Sequence, residues 1–153
     1  MRLKLFLLFA FFYALQSVKS QILFQKLSNE NLCAIDLDLM QKNYKLAYSN
    51  LTSEDYLFKG KEEEFKKCWI NLMHDLNNYM QKNGLKLSPN TTCYNRIYFN
   101  PDGSISAYLY YLKGLNEAQE KKFDELIFQF LLLQKLNITS TQSYWQYGNL
   151  KLE

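Results

Sequence analysis

Residues Thr91 to Leu112, TTCYNRIYFNPDGSISAYLYYL, constrain this chain more tightly than any other segment. Two runs rich in β-branched and aromatic residues flank Asn100-Pro101-Asp102-Gly103. Pro101 pre-sets the first turn position, Asp102 suits the second and Gly103 supplies a positive φ, the pattern of a type I turn followed by a bulge. The spacing predicts a hairpin with Phe99 opposite Ile105, Ile97 opposite Ala107 and Asn95 opposite Leu109. Ile97, Phe99, Ile105, Ala107 and Leu109 then share one apolar face. The other face would display Tyr94, Arg96, Tyr98, Ser106, Tyr108 and Tyr110, an unusual number of rings on the side meant for water.

Helical patterns flank the hairpin. Upstream, Phe65, Trp69, Leu72, Met73, Leu76, Tyr79 and Met80 recur at helical spacing opposite a charged face, predicting a helix from about Asp55 to Lys82 that Gly84 closes. Thr52 and Ser53 offer caps before it. Downstream, Asn116 and Gln119 are spaced as a capping box. Behind them Phe123, Leu126, Ile127, Phe130 and Leu133 form a stripe, and the extra Phe128, Leu131 and Leu132 predict a helix buried on more than one side and ended by Asn137. The final SYWQYGNLKL reads as a third strand. It can add either Trp145 and Tyr147 or Tyr144 and Gln146 to the tyrosine face. Earlier, Leu37, Met40, Tyr44 and Ala47 predict a short helix from Asp36 to near Asn50.

The fold class expected is therefore α+β: helix, strand, strand, helix, strand, with a three-stranded, largely antiparallel sheet and its helices on one face, preceded by a short N-terminal helix. The chain divides into a leader (residues 1–20), an N-terminal helical segment (21–53) and the α+β domain (54–153).

MRLKLFLLFAFFYALQSVKSQ opens with Arg2 and Lys4, continues with the apolar run Leu5 to Leu15, and places Val18 and Ser20 three and one residues before Gln21. That order predicts a secretory signal peptide cleaved near Ser20. Eleven apolar residues fall well short of the roughly 20 that span a bilayer. Cleavage removes Arg2, Lys4 and Lys19 and no acid, lowering the Lys and Arg count from 18 to 15 against 15 acids. The mature chain is formally neutral, so the electrostatic footprint of a nucleic-acid binder is missing. Expected localisation is secreted or periplasmic, with no membrane span after cleavage.

Export exposes Cys33, Cys68 and Cys93 to an oxidising compartment. Cys68 lies about 21 Å from the end of its helix, at 1.5 Å per residue, while Cys93 begins the strand beyond it. The expected bridge is therefore Cys33 with Cys68, leaving Cys93 as a buried thiol beside Ile97 and Phe99. NLT at Asn50, NTT at Asn90 and NIT at Asn137 are N-glycan acceptors if the host is eukaryotic.

Chemistry is sparse. His74 is the one imidazole, without thiolate or carboxylate on its helix face, so no metal site is expected. Asp36 and Asp38 lack the further oxygen ligands and nearby glycine of a calcium loop. No GxSxG, HExxH or phosphate-cradling loop occurs, and no cofactor is expected. Acids fall in runs such as KEEEFKK and QEKKFDE that read as solvated helix faces.

The run YFNPDGSIS, closing a hairpin before a helix, resembles the carboxy-terminal domains of TonB and TolA-like envelope proteins over roughly Glu54 to Glu153. The chain has YYLKGLNEAQ where those domains carry Ser-Ser-Gly, and no Pro after its last strand. The resemblance implies a fold and a habit of binding proteins through a sheet. The Asn-, Lys-, Tyr-, Phe- and Leu-heavy composition is also similar to that of small secreted proteins of Bacteroidetes type. The expected function is a non-enzymatic, exported or envelope-associated binding protein. Tyr94, Arg96, Tyr98, Tyr108 and Tyr110 would contact another envelope or extracellular protein. The alternative is a secreted hydrolase using paired carboxylates, which needs two acids converging in a cleft.

Overall fold

A computed structural model describes residues 22–26, 42–51, 55–85 and 91–151. Along the chain they form β1 (Leu23–Lys26), β2 (Lys45–Leu46), α1 (Glu62–Lys82), β3 (Thr92–Phe99), β4 (Ile105–Lys113), α2 (Glu117–Leu133) and β5 (Tyr144–Lys151). The strands make one mixed sheet in the order β1-β4-β3-β5-β2. β3 is central and antiparallel to both neighbours, while the short β1 and β2 add parallel edges on β4 and β5. The expected antiparallel trio is thus the middle of a five-stranded sheet.

Its edges correct the expected helix from Asp36 to near Asn50 over its described part, residues 42–50; residues 27–41 lie outside the described residues. Helical backbone at residues 42–43 gives way to strand at Lys45. Ala47 N–H then donates to the Trp145 carbonyl, and Leu57 and Phe58 donate to Leu46 and Ala47. Those bonds hold residues 55–61 in a turn, so α1 starts at Glu62 rather than near Asp55. Gly60, at φ 80°, is the break. Without a side-chain cap, the first turn is instead supported by Glu62, Glu63 and Glu64, negative charges at the positive end of the helix dipole. The Glu62 carboxylate accepts from Gly60 N–H and the Tyr56 hydroxyl, which hold it below its ordinary range.

α1 and α2 pack on one face of the sheet, driven there by Phe65, Leu72, Leu76 and Met80 from α1 and Phe123, Leu126, Ile127, Phe130 and Leu131 from α2. The helices run antiparallel: Tyr79 meets Phe130, and Cys68 meets Asn137 beyond the end of α2. The capping box at Asn116 and Gln119 is present. Burial on more than one side of α2 does not hold, since Phe128, Leu132 and Leu133 are 42%, 52% and 79% exposed. α2 also stops at Leu133, not Asn137, because Leu136 N–H leaves the helix for the Gly103 carbonyl and Ser104 bridges Lys135.

The hairpin register departs from expectation at one residue. Phe99 does face Ile105, but Tyr98 then pairs with Ala107, Ile97 with Tyr108 and Asn95 with Tyr110. Ser106 is an extra residue, a β-bulge that offsets the rest of β4 by one position. Tyr108, Tyr110 and Leu112 therefore join Cys93, Ile97 and Phe99 under the helices. Ala107 and Leu109 turn to the opposite face with Tyr98. The turn itself is as the sequence predicts: Gly103 N–H donates to the Asn100 carbonyl, and Asp102 accepts from both backbone and hydroxyl of Ser104.

Candidate functional site

The bulge divides the five residues expected to form the recognition face. Tyr94, Arg96 and Tyr98 lie on the face of β3 turned away from the helices. Tyr108 and Tyr110 do not: they are 0% and 1% exposed in the helix-side core. Phe24 of β1 packs on both at 6.2 and 5.1 Å between ring centroids. A buried phenol usually finds a partner for its hydroxyl; Tyr110 has one, whereas the Tyr108 hydroxyl is buried without a hydrogen bond. Tyr110 donates to Asp124 Oδ1 on α2, and burial together with that carboxylate pushes its phenol pKa up. Tyr108 lies beside the Cys93 thiol. Burial raises the Cys93 pKa to about 12, against a smaller opposing effect of the Tyr108 hydroxyl. Cys93 is thus a buried, inert thiol on the face shared with Ile97 and Phe99.

In place of Tyr108 and Tyr110, the opposite face recruits residues from β4 and β5. Cross-strand pairing sets Trp145 opposite Tyr98 and Tyr147 opposite Arg96, which decides the last strand's parity in favour of Trp145 and Tyr147. Tyr111 of β4 stands opposite Tyr94, their rings 6.3 Å apart. The Arg96 guanidinium carbon sits 4.6 Å from the Trp145 ring centroid, a cation–π contact. Trp145 and Tyr147 are 5.7 Å apart, and Trp145 and Tyr98 6.4 Å. Tyr44, just before β2, meets Tyr98 edge-on at 5.1 Å.

This face is graded along the strands. Towards the hairpin turn, Tyr98, Ala107 and Leu109 are buried, and the described residues packed on them are Tyr44 and Trp145. At the other end Tyr94 is 49% and Tyr147 51% exposed, while Arg96, Tyr111 and Trp145 are half-buried. The result is an aromatic surface carrying one guanidinium, stiffened by neighbouring strands. Sequence reasoning missed Tyr44 and Tyr111 and left Trp145 and Tyr147 undecided. Tyr111 owes its face to the extra Ser106, which no local pattern marks; Trp145 and Tyr147 take theirs from the pairing of β5 with β3.

A half-open groove of about 430 Å³ lies on the helix side, between α1 and the segment after α2. Glu64, Lys67, Cys68, Asp75, Lys135 and Asn137 are among its lining. Glu64 and Asp75 are eleven residues apart on α1, roughly 16 Å along its axis at 1.5 Å per residue. Glycosidase carboxyl pairs sit about 5–9.5 Å apart. His74 is exposed beside Asn78, with the Asp75 carboxylate of the groove lining 3.9 Å from its ring, and is not itself part of that lining. Among the described residues, no three His, Cys, Asp or Glu side chains gather where a metal ion could be held.

The remaining expected sites fall unevenly. Cys68 is half-buried and unbonded, its thiol donating to the Asn137 carbonyl; its expected partner Cys33 lies outside the described residues, as do Asn90 and the leader. Asn50 and Asn137 are exposed. Among the described residues, no helix is long and apolar enough to cross a membrane. No family model matches the chain, and no curated protein or solved structure matches it either.

Proposed function

We propose that this chain is a small exported, non-enzymatic binding protein that contacts another extracellular or envelope protein through Tyr94, Arg96, Tyr111, Trp145 and Tyr147. The observation that carries the reading is the Arg96 guanidinium stacked on Trp145 between two half-exposed tyrosines, on the sheet face opposite both helices. Tyr, Trp and Arg are enriched where proteins bind proteins, because they offer a large, rigid, amphipathic contact at small entropic cost. The sheet supplies the stiffness. The resemblance to TonB- and TolA-like domains points towards the same class of partner. A hydrolase is the weaker reading, since the acids lining the groove are spread along α1 rather than paired.

The test places a photo-crosslinking amino acid at position 94 or 147, with position 70 as control, Ile70 being 63% exposed on α1. Adducts in the exported fraction of the native host at 94 and 147, absent at 70 and weakened by Arg96→Ala, support the reading. Equal adducts at all three positions, or none at 94 and 147, sink it.

A further inference from the structure

The proposed binding role leaves three Asn-x-Thr triplets unused. The two whose asparagines are described share a property. Asn50 and Asn137 are exposed, as are Asn43, Asn71, Asn83, Asn116 and Asn149 outside any triplet, so what singles the pair out is the Thr two residues on. An N-glycan is bulky and strongly solvated, so a fold tolerates it only where the asparagine amide reaches water. Asn137 meets this condition most completely. Thr139, which completes its triplet, is also exposed, and both stand on irregular backbone beyond α2. The residue between them is the anchor. Ile138 is 6% exposed, and its carbonyl accepts the Tyr144 hydroxyl at 3.1 Å. The Asn137 carbonyl accepts the Cys68 thiol at 3.4 Å. The main chain is held by the core while both triplet side chains stay in solvent.

We propose that, in a eukaryotic host, Asn137 is an N-glycan acceptor in the exported chain. Its amide nitrogen would bond to the anomeric carbon of an oligosaccharide carried on a polyprenyl diphosphate. One amide proton is lost and the polyprenyl diphosphate leaves with the electrons of the broken sugar–phosphate bond. The proposal rests on Met1 to Ser20 acting as an export signal. Its consequence is spatial. Leu136 N–H donates to the Gly103 carbonyl, so Asn137 stands at the hairpin-turn end of the molecule, beside the groove next to Cys68. Tyr94 and Tyr147 lie towards the other end of the strands. A glycan at Asn137 crowds the groove and leaves the exposed aromatic end free.

The full chain, with its own leader, is expressed in cultured eukaryotic cells, and the secreted protein is mapped by mass before and after peptide N-glycosidase treatment. The peptide containing Asn137 is expected to carry a hexose- and N-acetylhexosamine-containing mass that the enzyme removes. That mass is lost in Asn137→Gln and Thr139→Ala and kept in Thr139→Ser, whose hydroxyl still completes the triplet. Secreted, leader-free protein with an unmodified Asn137 peptide overturns the proposal, even where Asn50 or Asn90 is occupied. A chain kept in the cytosol with its leader attached overturns it as well.

Discussion

Gly103 shows how much one residue can carry. It sits at φ 85°, and a Cβ there would lie 2.1 Å from the Leu136 carbonyl oxygen, which is backbone and cannot swing away. Gly60 has nearly the same dihedral, φ 80°, but nothing within 4 Å of the same added atom. The pair separates backbone strain from collision. Left-handed backbone costs a non-glycine residue roughly 1–2 kcal/mol, so Gly60→Ala is expected to lose about that much stability. Gly103→Ala adds the displacement of Leu136 and its bond to Gly103, and is expected to lose more than about 3 kcal/mol. Urea unfolding of the two variants gives the comparison; equal losses would show that the Leu136 contact does not restrain the turn. The positive φ was legible in Asn-Pro-Asp-Gly itself. The collision was not, because Leu136 reaches the turn only after α2 has folded back across the sheet.

Among the elements, β4 is the one whose role changed. Read alone, its alternation puts Ile105, Ala107 and Leu109 inwards and the tyrosines outwards. The Ser106 bulge keeps Ile105 inwards and then reverses the rest, so that Tyr108 and Tyr110 enter the core. Hydrophobic payload explains why this register wins. Buried Tyr rings bring far more apolar area under the helices than Ala107 could, at about 25 cal/mol per Å² removed from water, and Asp124 stands on α2 to receive the Tyr110 hydroxyl. Deleting Ser106 should leave a regular hairpin with every later residue on its present face, and so a protein that still melts cooperatively. Deleting Leu109 instead should send Tyr110 and Leu112 to the wrong face and abolish cooperative melting. Thermal unfolding followed by near-ultraviolet circular dichroism distinguishes them; loss of the transition on removing Ser106 alone would mean that the bulge itself is needed. The same element-level logic explains α2: its stripe was readable, but a single sheet face beneath it leaves Phe128, Leu132 and Leu133 in solvent.

For the whole molecule, the core is unusually rich in ionisable groups kept neutral, and this predicts how stability responds to pH. Burial raises Cys93 from 9.0 to about 12 and also raises Tyr108, Tyr110 and Tyr144 above 10.0. In each case the neutral form is the protonated one and the folded pKa exceeds the unfolded value. The stabilisation is therefore fully present below the unfolded pKa and is lost as pH rises through the folded one. For Cys93 the window runs from about pH 9 to about pH 12. Urea midpoints should hold between pH 7 and 8.5 and fall from pH 9 to 10.5, less steeply in Cys93→Ala. Identical slopes in the two proteins would show that the thiol ionises without cost and is not sealed in the core. The Lys26–Glu120 and Lys45–Asp55 pairs are open to solvent and add little to stability.

The sequence by itself determined what depends on near neighbours: the two helices and their amphipathic stripes, the capping box at Asn116 and Gln119, the turn at Gly103, and three strands pairing antiparallel. These are set by periodicity and backbone preference over a few residues. Only the tertiary structure decided that residues 23–26 and 45–46 become parallel edge strands. Four- and two-residue strands carry no periodic signal, and their stability comes from β4 and β5, already folded beside them. Only the tertiary structure likewise decided which rings face the solvent. A sheet's side-chain period is two, so one bulged residue reverses every position after it. The choice between the two registers of β4 is made by what the helices can bury, Tyr108 and Tyr110 beneath α1 and α2; that leaves Tyr111 to join Tyr94 and Arg96 on the open face, where the pairing of β5 with β3 sets Trp145 and Tyr147.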